Sequence, residues 1–279
     1  ETGQVQKTWH LVLVLEFKIM KKIRLLAFKK IPVLVLLALL CSCNSDAIGD
    51  CFQAAGDSVS MVVEVPPFLR VRSEGEVTLL IKQGDVQQVS LATAENLLTD
   101  ISVFVFDDTL IVRDTNACNF VRDYGLTVVT ITTPNLTHIR NSSNYDITSI
   151  GTLVFPELTL TSNTGGGPGG IVSLKKAGDF YLDVVCDTFN ISANGQSVFY
   201  ISGAANAARV AFNDENPRFE GRDFLVNEFD FFHRSANKMI VNPVDILSGQ
   251  LVSTGDVISV NRPDIVEVET LFTGQLIFE

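Results

Sequence analysis

Five acidic residues lie close together in the second half of the chain, with two arginines among them. The acids are Asp214, Glu215, Glu220, Asp223 and Glu228, and the arginines are Arg218 and Arg222. Paired carboxylates can cleave a glycosidic bond, and acids that hold Ca²⁺ beside a basic group serve polysaccharide lyases. A glycan-active enzyme that uses acids in 214–228 is therefore one hypothesis. Such a density of charge is also typical of a solvated turn, which is the interpretation we favour.

The spacing of residues gives little support for a metal site or for a catalytic nucleophile. His138 and His233 are the two histidines that follow Cys43, and neither has a Cys, His or Glu at metal-ligand spacing. The sequence contains neither a Gly-x-Ser-x-Gly motif nor a Cys-His pairing that would indicate a catalytic nucleophile. We expect no metal and no cofactor.

Cys43 is the residue with the most specific chemistry in the chain. Lys21, Lys22 and Arg24 begin a basic segment, and Ile31 to Leu40 form an apolar run too short to span a bilayer as a helix. The sequence Leu40-Cys41-Ser42-Cys43 then resembles the lipobox of Gram-negative lipoproteins, with Cys43 as the lipidated residue. Cys41 fits worse, because Leu40 stands where a small residue is needed.

This motif divides the chain into four parts. Residues 1–19 precede Met20 and are interpreted as an upstream, non-native segment. Residues 20–42 are the predicted lipoprotein signal peptide, and residues 43–57 are a short polar tether. Residues 58–279 form the predicted folded domain. We expect a protein that is lipid-anchored in the cell envelope of a Gram-negative bacterium, at the periplasmic or surface face of the outer membrane.

Three cysteines remain once Cys43 is committed to lipid. In an oxidising periplasm two of Cys51, Cys118 and Cys186 can pair. Cys51 and Cys118 each sit in a polar turn context, whereas Cys186 follows two valines and is typical of a small buried hydrophobe. The pairing Cys51 with Cys118 is favoured, although sequence alone does not fix connectivity.

The charge of the mature chain argues against one class of partner. Seven of the 21 Lys and Arg residues and two of the 32 acids precede Cys43, which leaves 14 basic and 30 acidic residues and a net charge near −16. Such a charge repels phosphate backbones, so we expect no nucleic acid partner.

The pattern after residue 58 is that of short β-strands. Val77, Leu79 and Ile81 alternate with other residues and lead to a turn at Gly84-Asp85, which predicts a hairpin. Asp107-Asp108 predicts a second hairpin, and 94–98 hints at a helical turn. The glycine-rich stretch at 165–170 lacks the Lys-Ser/Thr pair of a phosphate cradle and is interpreted as a loop.

Apolar residues recur at an interval near twenty in the second half of the chain. One series is Phe199, Phe219 and Met239; a second is Ile191, Phe212, Phe232 and Val252. Strands of three to five residues with this period are typical of a β-solenoid, in which like positions stack in successive coils. A β-sandwich also gives short, evenly spaced strands. The predicted absence of covering helices favours an all-β, right-handed parallel β-helix or β-solenoid.

Seven short motifs are spread over nearly the whole mature chain: 50–56 (DCFQAAG), 79–85 (LLIKQGD), 95–98 (ENLL), 108–112 (DTLIV), 116–124 (NACNFVRDY), 134–136 (PNL) and 273–277 (TGQLI). In this order they resemble the lipoproteins that carry the putative auto-transporter adhesin head domain, the GIN domain. Phe120 stands where the family motif has Trp. The resemblance implies a right-handed β-helix-like solenoid at the cell surface, and it supports the bridge between Cys51 and Cys118. The family has no established activity, so no catalytic residue is carried over.

These observations predict a binding or adhesion module without catalysis. Its expected partners are the membrane, through the N-terminal lipid, and a glycan or protein ligand. Phe229, Phe231, Phe232 and His233 form an aromatic cluster that is a candidate binding surface, although a place in the core is the more common role of such residues.

Overall fold

The computed structural model describes residues 51–116, 119–164 and 175–279. The predicted signal peptide, Cys43, the first part of the tether, Cys118 and the glycine-rich stretch at 165–170 lie outside the described residues. In the part of the chain that is described, no helix is long and apolar enough to cross a membrane.

The regular secondary structure of the described chain is almost entirely β-strand, and Gln53–Glu279 forms one compact unit. A 3₁₀ helix at Glu95–Asp100 confirms the predicted helical turn. The strands are β1 (Ser58–Val63), β2 (Arg70–Gly75), β3 (Val77–Gln83), β4 (Gln88–Ala94), β5 (Ile101–Phe106), β6 (Thr109–Asp114), β7 (Thr127–Thr133), β8 (His138–Ser143), β9 (Ile147–Val154), β10 (Glu157–Ser162), β11 (Phe180–Ala193), β12 (Val198–Phe212), β13 (Arg218–His233), β14 (Met239–Leu251), β15 (Val257–Ser259), β16 (Ile265–Thr270) and β17 (Leu276–Phe278).

Long strands stack in parallel register through the second half of the chain. Strand β11 pairs with β12, β12 with β13, and β13 with β14. Phe199 lies in register with Phe219, and Phe219 with Met239, which confirms the first apolar series. Their side chains are buried, and the Phe180 and Phe199 rings stack at 4.7 Å. The core is therefore built from like residues repeated along the ladder.

The second apolar series is wrong: Phe212 misses its predicted register partner by one residue, whereas Ile191 and Phe232 each miss theirs by two. Ile191 pairs with Val210, and Phe212 pairs with His233 rather than with Phe232. For Phe212 the reason is a register shift between Tyr200 and Gly203, where β13 takes up an extra residue relative to β12. Gly203 permits this irregularity: its φ is +105°, and a Cβ there would lie 2.0 Å from the carbonyl oxygen of Val184.

Two further expectations are corrected. The strands β11 to β14 have 13 to 16 residues rather than three to five, because the pairing continues across register irregularities instead of ending at them. The hairpin predicted at Gly84-Asp85 does not form, since β4 pairs antiparallel with β1 and with β7. The hairpin at Asp107-Asp108 is confirmed by the antiparallel pair β5 and β6, and both aspartates have positive φ.

Strand directions are thus mixed. The antiparallel strands β1, β4 and β5 lie at the start of the ladder, next to β7 and β6. At the other end, β16 pairs with β14 and β17 pairs with β15, all in parallel.

Candidate binding surfaces

Two tyrosines form a stacked pair on the outside of the ladder. Tyr181 on β11 and Tyr200 on β12 lie in register, with ring centroids 4.7 Å apart and planes inclined by 6°. Each follows a buried phenylalanine, so the alternation of a strand points both tyrosines outward. Each keeps 39% of its surface exposed, which makes the pair available to a ligand.

The stack holds two rings and ends on both sides. Tyr181 has Thr148 as its other register partner, and Tyr200 has Glu220. Each ring therefore keeps one face that is next to a non-aromatic side chain. Burial, and then the charges of Asp179 and Asp146, raise the pKa of Tyr181, so its phenol remains protonated at neutral pH.

Polar groups surround the tyrosine pair in an open groove of about 550 Å³, which we call the tyrosine groove. Asp183 lies beside the rings and is held in place from several directions. Its carboxylate accepts hydrogen bonds from the hydroxyls of Thr152 and Ser202, the second at 3.3 Å. Its backbone N–H donates to Ser149 Oγ at 3.0 Å. The groove thus presents ordered carboxylate and hydroxyl oxygens next to aromatic surface.

The acids predicted as a catalytic cluster do not all meet in this groove. Glu220 and Asp223 line it, but Glu220 forms an ion pair with Arg218. Glu215 pairs instead with Lys176. Glu228 lines a separate depression with Arg209 and Asp230, and Asp214 is exposed in the turn before β13.

Arg222 also lines the tyrosine groove, and Glu279 orients it. Arg222 Nη2 lies 2.9 Å from Glu279 Oε1, and a second hydrogen bond joins the same two side chains. This hydrogen bonding raises the pKa of Arg222 and lowers the pKa of Glu279. The groove therefore holds a fixed cation among its acids.

The aromatic cluster at 229–233 does not form a surface. Phe229, Phe231 and His233 are 1%, 2% and 0% exposed, and Phe232 is partly buried. The three buried residues share one side of β13, because alternate residues of a strand point the same way, and that side faces the core. The site prediction is corrected here.

Burial also determines the protonation of the remaining reactive side chains. Cys186 is a buried free thiol, as predicted, and burial raises its pKa to about 11. Burial lowers the pKa of both His138 and His233 to about 4, so both are neutral at pH 7. Cys51 is disulfide-bonded, and its pairing with Cys118 stays a prediction. Within the described ranges, no group of three or more His, Cys, Asp or Glu side chains could hold a metal ion.

A row of four aliphatic residues lies on another part of the ladder, three of them exposed and one partly exposed. Val154, Val185, Ala204 and Leu225 are register neighbours along β9, β11, β12 and β13. They line a shallow groove of about 620 Å³. Asp187, Asn206 and Asn227 border it as a hydrogen-bonded ladder, with distances of 2.8 and 3.3 Å. This is a second exposed surface with regular spacing.

Sequence reasoning missed both surfaces. A signal for the tyrosine groove was present, since Phe180-Tyr181 and Phe199-Tyr200 repeat the same dipeptide. The two dipeptides are nineteen residues apart, whereas the main period is near twenty. The spacing alone therefore does not show that the tyrosines stack, and the strand register is needed to show it.

Comparison with known families identifies the fold. The family model described as "Putative auto-transporter adhesin, head GIN domain" matches residues 67–263. The chain belongs to the GIN-domain family. This membership confirms the resemblance found in the sequence and groups the chain with bacterial cell-envelope proteins. No curated protein matches the chain.

Several solved structures similar to this GIN-domain chain come from Bacteroides and Parabacteroides species. A putative adhesin from Bacteroides fragilis matches with a TM-score of 0.71 and 15% identity, over 81% of this chain and 100% of that one. A putative lipid binding protein from Parabacteroides distasonis gives 0.60 and 12%, over 81% and 99%. A putative adhesin from Parabacteroides merdae gives 0.55 and 15%, over 81% and 98%. At such identities the likeness shows the shared all-β fold.

Proposed function

We propose that this GIN-domain protein is a lipid-anchored binding module of the cell envelope, of the adhesin-head type and without catalysis. Its ligand is a polyhydroxylated molecule, a glycan, bound in the tyrosine groove. The observation that carries the proposal is the isolated pair of stacked, exposed tyrosines framed by ordered carboxylates and hydroxyls. The adhesin descriptions of the family and of its structural neighbours support a binding role.

The chemistry of the groove suits a sugar. A pyranose has apolar C–H faces that pack on aromatic rings, and hydroxyls that donate to carboxylates and accept from cations. Tyr181 and Tyr200 supply the rings, while Asp183, Asp223 and Arg222 supply the polar partners. A few fixed polar groups beside apolar surface give orientation and selectivity.

Binding is favoured over glycan cleavage by the state of the acids. A glycosidase needs two carboxylates that flank the bond, one of them available to donate a proton. Glu220 is occupied by its ion pair with Arg218. The alternative is a glycan-active β-helix enzyme that uses acids in 214–228, among which Glu220 and Asp223 share the groove.

Two structural features complete the proposal. Cys43 carries the lipid and holds the protein at the outer membrane, on its periplasmic or surface face. The repeating part of the chain winds as a right-handed parallel β-solenoid. The parallel register through β11, β12, β13 and β14, with repeats near twenty residues, supports this winding.

A glycan microarray probed with the soluble Cys43→Ala protein tests the ligand. We expect binding to a subset of glycans, and a loss of at least about tenfold in affinity in the double variant Tyr181→Ala/Tyr200→Ala, equivalent to about 1.4 kcal/mol. Tyr124→Ala is the matched control, because Tyr124 is an exposed tyrosine on the loop before β7. Unchanged binding in the double variant would contradict the proposal. Release of shorter sugars from bound glycans would favour the enzyme.

A further inference from the structure

A tight turn at residues 119–124 exposes apolar side chains at its tip. Asn119 Nδ2 donates to the carbonyl oxygen of Arg122 at 2.7 Å, and the N–H of Arg122 donates to Asn119 Oδ1 at 3.0 Å. These two bonds close the turn on Phe120 and Val121, which are 73% and 55% exposed. Exposed apolar side chains on a fixed turn are typical of an interaction surface.

Tyr124 adds an amphipathic ring to this tip. Its side chain is 68% exposed, and its hydroxyl donates to the carbonyl oxygen of Asn119 at 3.2 Å. Tyrosine combines an apolar ring with a polar end, and it is enriched where membranes meet water. We call Phe120, Val121 and Tyr124 the aromatic turn.

The aromatic turn lies near the start of the folded domain, both by its place in the strand ladder and by a contact with Gln53. It connects β6 to β7, which adjoin the antiparallel strands at one end of the ladder. Arg122 Nη1 also donates to the carbonyl oxygen of Gln53 at 3.5 Å. Gln53 follows Cys43 by ten residues, and even a fully extended chain of that length spans at most about 36 Å.

We propose that the aromatic turn inserts into the headgroup boundary of the bilayer that holds the lipid of Cys43. This inference rests on the lipid anchor of the proposed function. Three apolar side chains bind a bilayer weakly by themselves, but a short tether keeps them at high local concentration at its surface. Because anionic lipid repels the acidic folded domain, we expect the aromatic turn to insert among zwitterionic headgroups.

The consequence is a defined orientation. With the aromatic turn at the bilayer, we expect β4 and β1 to lie on the membrane side of β7 and the ladder from β3 onward to extend away from the membrane. Eight strand spacings separate β7 from β17 along their shared stack, a distance of about 38 Å. The far end of the ladder therefore stays in water.

Tryptophan fluorescence tests the insertion. The chain's single tryptophan is Trp9, which precedes Cys43, so Phe120→Trp gives the mature protein one reporter at the turn. Phe272→Trp is the matched control, since Phe272 is an exposed phenylalanine between β16 and β17. Both lipidated variants are reconstituted into phosphatidylcholine and phosphatidylethanolamine vesicles with brominated acyl chains. We expect quenching at least about twofold stronger for Phe120→Trp, because only that ring reaches the acyl boundary.

The outcomes separate this inference from the anchor. Weaker quenching after adding Val121→Asp to Phe120→Trp would support insertion. If both variants sedimented with the vesicles but showed equal, weak quenching, the insertion of the aromatic turn would be overturned and the lipid anchor would stand. A protein with Cys43 intact that carries no lipid and stays in the supernatant would overturn the anchor and the inference with it. A blue shift that depends on protein concentration and needs no vesicles would indicate self-association and would also overturn it.

Discussion

His233 places an imidazole in the core at a position that neighbouring strands fill with Phe212 and Leu251. Its ring lies 5.8 Å from that of Phe212, and the residue is fully buried. Burial lowers its pKa from 6.5 to about 4, while the nearby backbone of Asn237 and the charge of Asp256 oppose part of this shift. The imidazole is therefore neutral in the folded protein at pH 7.

The folded protein should lose stability in mild acid because of this residue. Between pH 6.5 and 4 the unfolded chain binds a proton at His233 and the folded chain does not. Stability that is present above pH 6.5 is thus lost as the pH falls toward 4, by up to about 3 kcal/mol. Urea unfolding at pH 7 and at pH 4.5 measures the loss.

The matched variant is His233→Leu, which places at this position the residue that β14 has in register. We expect a smaller drop in the free energy of unfolding between the two pH values. Carboxylates that titrate in the same range contribute equally to both proteins and cancel in the difference. Equal drops in wild type and variant would show that His233 is not the source.

Strand β13 allows its two sides to be compared directly. Phe219 is fully buried, is in register with Phe199 and Met239, and lies 5.8 Å from the ring of Phe229. Phe232 lies on the opposite side of the strand and is only partly buried. We predict that Phe219→Ala costs about 3–5 kcal/mol because it leaves a cavity in the core.

Phe232→Ala is the control on the same strand, and it should cost about 1 kcal/mol or less. The urea midpoint at a constant m-value gives both numbers. Similar losses in the two variants would argue against a core built from one side of the strand.

How far the sequence predicts these strands depends on the regularity of the repeat. Where the spacing stays near twenty, as from Phe199 to Phe219 and Met239, periodicity alone predicts the register. Opposite Gly203, β13 takes up an extra residue, and every later position of β13 shifts by one relative to the regular spacing. For this reason Phe232 was assigned to the position that His233 occupies.

Local signals fail where partners are distant in sequence. The Asp107-Asp108 turn joins strands that pair with each other, so a local rule predicts it. Gly84-Asp85 has similar turn residues, yet β4 leaves β3 and pairs with β1 and β7. The tyrosine groove was missed for the same reason, since its residues come from β9, β11, β12 and β13.

At the scale of the whole molecule, charge and anchor act together. The mature chain combines a net charge near −16, from 14 basic and 30 acidic residues after Cys43, with a predicted lipid at its first residue. Such a charge keeps the body soluble and away from anionic surfaces. On the proposed function, stable membrane attachment comes from the lipid, because a few apolar side chains bind a bilayer only marginally.

Replacing the lipidated cysteine tests this division of roles. We predict that Cys43→Ala releases the protein from the membrane fraction and lowers its mass by the lipid. Cys41→Ala is the matched control, because Leu40 makes Cys41 a poor lipobox cysteine, and this variant should remain in the membrane fraction. Ultracentrifugation of cell lysates and mass spectrometry of the purified proteins provide the two readings. If Cys43→Ala stayed membrane-bound at an unchanged mass, the anchor would have to lie elsewhere in the chain, and the reach argument for the aromatic turn would no longer apply.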